Sequence, residues 1–76
     1  MRKVEINWVD SNVTHGWQMD GELPCSLATC ESLGYIKDED NDKLVLVQTI
    51  SNEGACMGVL AIPKGCIKSI KELRVK

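Results

Sequence analysis

The run Leu44-Val45-Leu46-Val47-Gln48-Thr49-Ile50 is almost entirely β-branched or leucine, and polar turn residues bound it on both sides. So short an apolar run between turn signals predicts a strand with both faces at least partly covered. Its approach, Asp38-Glu39-Asp40-Asn41-Asp42, reads as a polar hairpin turn. Upstream, residues 27–37 alternate imperfectly: Ala28, Cys30, Ser32, Gly34 and Ile36 form one face of small residues, and Leu33 and Tyr35 lie on the other. Small side chains and a mid-strand glycine suit a sharply curved strand that another backbone approaches closely. Ser51-Asn52-Glu53-Gly54 predicts the next turn, residues 55–62 the next strand, and residues 4–9 a first strand.

Spacing alone leaves the C-terminal stretch open between two forms. Ile67, Ile70 and Leu73 recur every third residue, which suits a basic amphipathic helix entered after Pro63, although Gly65 in its first turn would weaken that helix by about 1 kcal/mol. As a strand, the same segment places Ile67, Ser69, Lys71, Leu73 and Val75 on one face. With a strand there, short turns join all five strands except the first and second, and a tight Pro-Gly turn precedes the last. This is the layout of a small barrel.

At 76 residues the chain is a single domain, residues 1–76. A chain so short buries only roughly 60% of the surface it exposes when unfolded, so its core leaves little surplus stability. Disulfides, a metal or self-association are the usual supports. A hydrophobic fraction of 43% with a net charge of −2 argues against disorder. Met1-Arg2-Lys3-Val4-Glu5 has basic residues but no apolar run of signal-peptide length, and no later stretch would span a bilayer, so the expected setting is the cytoplasm, without a membrane. The cysteines, Cys25, Cys30, Cys56 and Cys66, are too sparse for a disulfide scaffold, and the expected compartment is reducing. Cys25 and Cys30, with His15, loosely suit zinc, but Cys56 and Cys66 lack the close spacing that wraps a tetrahedral ion. Reduced thiols acting as small hydrophobes, with no metal and no cofactor, are the expectation.

The segments "WVDS" and "GW", then "SLGYIKDEDNDKLVLVQTIS", then "GVLAIPKGCIKSIKEL" resemble a group of small proteins encoded in bacteriophage and prophage genomes, over nearly the whole chain. The most specific piece is the closing "IPKGCIKSIKEL". Its order of strand, Ile-Pro, one helical turn and strand is similar to the ending of SH3-like and Sm-like small barrels. The resemblance therefore implies an all-β fold, a five-stranded, strongly bent SH3-like or Sm-like barrel with a long loop after the first strand and a short 3₁₀ turn at residues 63–66 before the last. It also implies a phage or prophage source and action in the host cytoplasm. It supplies no activity, so no catalytic residue carries over.

Candidate chemistry is sparse. Asp38, Asp40 and Asp42 match the first ligand positions of a calcium-binding loop, but Lys43 stands where that loop needs glycine and Thr49 where it needs a bidentate glutamate. The acidic turn is expected to be a solvated hairpin tip that discourages edge-to-edge association. Asp10, Ser11 and His15 can be written as a catalytic set, and His15 as the activator of a cysteine, yet nothing in their spacing enforces either geometry. The expectation is that the protein is not an enzyme. Asn12-Val13-Thr14 fits a glycosylation sequon that a cytoplasmic protein would not use. Lys64, Lys68, Lys71 and Arg74, with Lys76, make a local basic patch near the C-terminus. Small barrels often bind single-stranded nucleic acid through basic grooves and stacking aromatics, but an overall acidic charge and few aromatics oppose a strong grip on phosphates.

Residues 10–24 form one long excursion, broken by Gly16, Gly21 and Pro24, and a loop of that length is either functional or packed over something. Trp8 near the strand end suits a core role, and Trp17 suits a plug over the barrel end, with Gly16 permitting the turn. The functional reading of the same residues is a ligand site made by His15, Trp17 and Trp8. The function expected is a non-enzymatic binding module that takes a small nucleotide-like ligand. A protein-interaction adaptor for a host or phage protein is the alternative, and single-strand binding ranks third. A homo-oligomer is expected, with residues 44–50 or 55–61 near the shared surface.

Overall fold

The computed structural model describes residues 2–11, 15–23 and 26–74. It is all-β, with five strands: β1 (Lys3–Asp10), β2 (Ala28–Glu39), β3 (Lys43–Ile50), β4 (Cys56–Pro63) and β5 (Ile67–Glu72). Short 3₁₀ turns occupy Asp20–Glu22 and Lys64–Cys66, the second of them before the last strand as the sequence predicts. All pairings are antiparallel, in the spatial order β4-β3-β2-β1-β5. The expected closure into a barrel is not made: β4 and β5 are the two edges of an open sheet.

The sheet is nonetheless forced to curl. In a flat sheet, β4 and β5 would lie four strand spacings apart, about 19 Å, whereas the four residue steps from Pro63 to Ile67 reach at most about 14 Å. The link therefore crosses only if the sheet folds over on itself, and Lys64–Cys66 accordingly lies against β1. Folding over happens along β2, the longest strand. Its first part pairs with β1 from Ala28 to Tyr35, and its last part pairs with β3 from Tyr35 to Glu39, with a bulge between Ile36 and Asp38.

Gly34 sits at that bend. A Cβ added there would lie 2.5 Å from the Val47 carbonyl oxygen, a contact no side chain survives without backbone movement. The alternation expected for this strand holds. Gly34, Ser32 and Cys30 stand opposite Val4, Ile6 and Trp8 on the inner face, and Leu33 and Tyr35 stand opposite Glu5 and Lys3 on the outer. Bending brings Val4 and Ile6 of β1 onto Leu44, Leu46 and Ile62 of β3 and β4, and these five residues form the buried cluster. Trp8, Ile36, Leu60 and Ile67 pack around it. In β3, Leu44, Leu46 and Val47 are all buried, as the near-continuous apolar run requires.

Several boundaries differ from the expected ones. β2 continues through Asp38 and Glu39, so the hairpin turn is only residues 40–42. Asp40 organises it: Oδ1 accepts from the backbone N–H groups of Asp42 and Lys43, and Oδ2 accepts from Lys43 Nζ. β5 does not keep a single face from Ile67 to Lys71. A bulge against β1 between Asn7 and Trp8 sets Ile67 opposite Trp8 but Ser69 opposite Asn7, so Ile67 and Ser69 point to opposite sides. The strand ends at Glu72, leaving Leu73 outside it, and Val75 lies outside the described residues.

A chain of charges ties one end of the fold. Arg2 donates to Glu72 at 2.6 Å and lies 4.0 Å from Glu39, which also accepts from Lys64. These residues come from the beginning of β1 and the ends of β5, β2 and β4, so the network spans both edges of the sheet. All four side chains are at least a third exposed, and the network's contribution is correspondingly modest.

Two outcomes test this account. Gly34→Ala should destabilise the fold by roughly 1–3 kcal/mol through overpacking, read as a drop in Tm of about 4–8 °C for each kcal/mol; an unchanged Tm would show that β2 is not pinned there. The Asp40 carboxyl is pushed down to about 2, first by the Lys43 ammonium and then by the two backbone N–H groups. Because its folded pKa lies below the unfolded value of about 3.9, its contribution is complete above pH ~4 and lost as pH falls through about 2. Asp40→Asn should lower Tm at neutral pH and flatten the Tm profile between those two limits, where the unsubstituted protein should decline.

Candidate functional site

β1 ends at Asp10, whose Oδ1 accepts from the Ser11 N–H at 2.8 Å, and β2 begins at Ala28. Between them runs the long loop. Asn12-Val13-Thr14, Pro24 and Cys25 lie outside the described residues. Every other loop residue whose side chain is described is exposed, His15 and Trp17 included. Gly16 separates those two with φ of 94°, a conformation that glycine adopts without a Cβ penalty. Trp17 has a relative accessibility of 103%, so the expected plug over the sheet does not form. The loop instead carries its apolar side chains outward: Met19, Leu23 and Leu27 are all more than half exposed.

Trp8 has a different place from Trp17. It faces inward, packs against the buried cluster and donates its indole Nε1–H to Ser32 Oγ at 3.1 Å. A buried or half-buried indole normally finds such a partner, and here the small face of β2 supplies it. Of the three expected ligand residues, the structure thus puts His15 and Trp17 together on the loop and Trp8 in the packing beneath.

The electrostatic setting of the loop is one-sided. From Val4 to Ile36 there is no lysine or arginine, while Glu5, Asp10, Asp20, Glu22 and Glu31 all fall there. Glu31 and Glu5 are close enough to interact, and the Glu31 carboxyl is pushed up from its ordinary value by its hydrogen bond with Glu5 and then by that neighbour's charge. The basic residues are elsewhere and partly spent. Lys64 is paired with Glu39, and Lys71 stands opposite Glu5 across β1 and β5. Lys68 and Arg74 are exposed, and Lys76 lies outside the described residues.

A cleft that the sequence reading missed opens where β2 leaves β3. Pairing between these strands stops at Tyr35 and Val47, while β3 and β4 continue together to Ile50 and Cys56. The resulting notch has a volume of about 270 Å³, with Leu33, Leu46 and Leu60 as its apolar walls and Glu31, Ser32 and Gln48 as its polar groups. Gly58, with φ of 72°, forms its floor beside Gln48, where a Cβ would meet the glutamine side chain at 2.6 Å. The available signals were Gln48 inside an apolar run and Gly58 inside a strand. The volume lies just below the usual range for small-ligand sites.

Cys30, Cys56 and Cys66 are free thiols, each half-buried. Cys30 and Cys56 direct their sulfurs to the carbonyls of Ala28 and Gly54. Among the described residues, no three His, Cys, Asp or Glu side chains are grouped as a metal site would group them. No helix among the described residues is long and apolar enough to cross a membrane. Compared with known proteins, the chain matches no family, no curated protein and no solved structure.

Proposed function

We propose that the protein is a non-enzymatic binding module whose working element is the loop between β1 and β2, and that Trp17 and His15 engage a small nucleotide-like ligand. The observation that carries this reading is Trp17, fully exposed beside a positive-φ glycine on a loop that projects from the sheet. An indole in water offers a broad face for stacking on a base, and the His15 imidazole with nearby backbone N–H groups offers donors for phosphate or carbonyl oxygens. Absence of lysine and arginine from Val4 to Ile36 means that phosphate recognition there would rest on neutral donors. The resemblance to phage-encoded small barrels supplies the setting, a host cytoplasm in which such a module would sequester a signal. An open relative of the SH3-like or Sm-like small barrel, with β4 and β5 apart, belongs to the same reading.

One observation favours a second reading, an adaptor that docks on another protein. Met19, Leu23 and Leu27 flank Trp17 with exposed apolar surface, and the loop's charges are all acidic, which suits an apolar protein surface rimmed by basic residues. Recovery from a lysate of infected cells separates the two. A nucleotide released by heating supports sequestration, and a stoichiometric protein supports the adaptor. With the nucleotide in hand, Trp17→Ala should weaken its binding by about ten- to a hundredfold, the loss of about 1–3 kcal/mol of stacking, and Lys68→Ala should leave it unchanged. Full binding by Trp17→Ala and His15→Ala proteins, with loss on changing Lys68 or Arg74, would move the site to β5.

A further inference from the structure

We infer that β4 is a self-pairing edge: two copies of this chain join β4 to β4, antiparallel about a two-fold axis near Val59, making one sheet continuous through both. The first observation is the contrast between the sheet's two edges. An exposed edge is ordinarily protected by charge, brevity, proline or a bulge. The β5 edge has these defences, being six residues long with Lys68 and Lys71 on it and a bulge against β1. The β4 edge ends in Pro63 and has Gly58 at φ of 72° within it, but it lacks charge altogether from Ala55 to Ile62 and is eight residues long, so charge is the defence that separates the two edges. Among the described residues, nothing pairs with its outer side.

Side-chain exposure along β4 points the same way. Met57 and Val59, on the outer face, are 68% and 63% exposed. A strand of this composition, alternating exposed methionine and valine, is stable in water chiefly when something covers it. Two-fold pairing does so economically, because the same side chains meet their own equivalents.

Surface area decides whether the chain has enough to give. The protein exposes 6055 Å², against about 4,600 Å² for a compact monomer of this mass. That excess, roughly 1,400 Å², is spread over an open sheet and its exposed loop, so the chain has surface that association at an edge can cover. The shape agrees: the radius of gyration is 15.9 Å over extents of 52 × 28 × 23 Å, where about 11 Å would describe a compact chain of this length. Pairing at β4 would also set the second copy beside Gly58 and Leu60, which line the cleft. The inference stands whichever ligand the loop takes.

Charge exchange at one position tests it. Sedimentation velocity at tens of micromolar should show the unsubstituted protein as a dimer, and Val59→Lys and Val59→Glu each as monomers with unchanged circular dichroism. Mixing these two proteins should restore a dimer, because position 59 meets position 59 across the axis. Lys71→Glu, on the opposite edge, should leave the dimer intact. A monomeric unsubstituted protein, a Val59→Lys protein that still dimerises, or a mixture that stays monomeric would each overturn the inference. A larger ring that is sensitive to Lys71→Glu would show that β4 meets β5 instead.

Discussion

Three residues, Lys64–Cys66, carry the chain from one edge of the sheet to the other. Most of the architecture follows from the shortness of that link. It cannot cross a flat five-stranded sheet, so β2 must bend, and it bends where Gly34 leaves room for the β3 backbone and where a bulge follows. Bending converts one sheet into two facing layers and gives Val4 and Ile6 something to pack against. Each fully buried side chain of this kind contributes about 1.5–3 kcal/mol. With so few of them, the ordering cost of the chain is only narrowly exceeded, which is the usual condition of a domain this small.

The same geometry explains what is left open. Strands on either side of the bend run past one another, so the loop end of β1 and β2 and the turn end of β3 and β4 project as separate arms. The cleft lies where β2 leaves β3, and Trp17 is on the loop that joins β1 to β2. Packing is concentrated at the crossing, and exposed apolar side chains are left on the loop and along β4. This division leaves solvent-facing side chains on the loop while a small core holds the centre.

Much of the fold was legible from residues whose local chemistry and tertiary role agree. The first part of the Leu44–Ile50 run, with Leu44, Leu46 and Val47 buried, packs as its apolar character predicts, while Gln48 and Thr49 stay exposed where β2 no longer pairs with β3. The small face of β2 faces inward because β3 crosses it. The errors fall where a pairing partner, absent from any local pattern, decides the outcome. Ile67 and Ser69 read as one face until a bulge against β1 separates them. Asp38 and Glu39 read as turn because they are acidic, yet the strand runs on, with Glu39 paired to Lys64 and near Arg2. For Trp17 the sequence supports both a plug and a ligand contact, and nothing in the spacing around it encodes that the indole is left uncovered. The cleft was invisible for a similar reason: it is made by the divergence of two strands, which depends on register.

Trp8 and Trp17, the only tryptophans of the chain, occupy opposite surroundings, one half-buried with its N–H given to Ser32 and the other wholly in water. The protein therefore contains two intrinsic fluorophores with separate tasks. Emission from Trp17 is open to a soluble quencher and to any stacking partner, whereas emission from Trp8 changes only when the inner packing does. With the other indole replaced by phenylalanine, each tryptophan then reports its own surroundings, Trp17 the solvent-facing loop and Trp8 the packing beside the core, without a label.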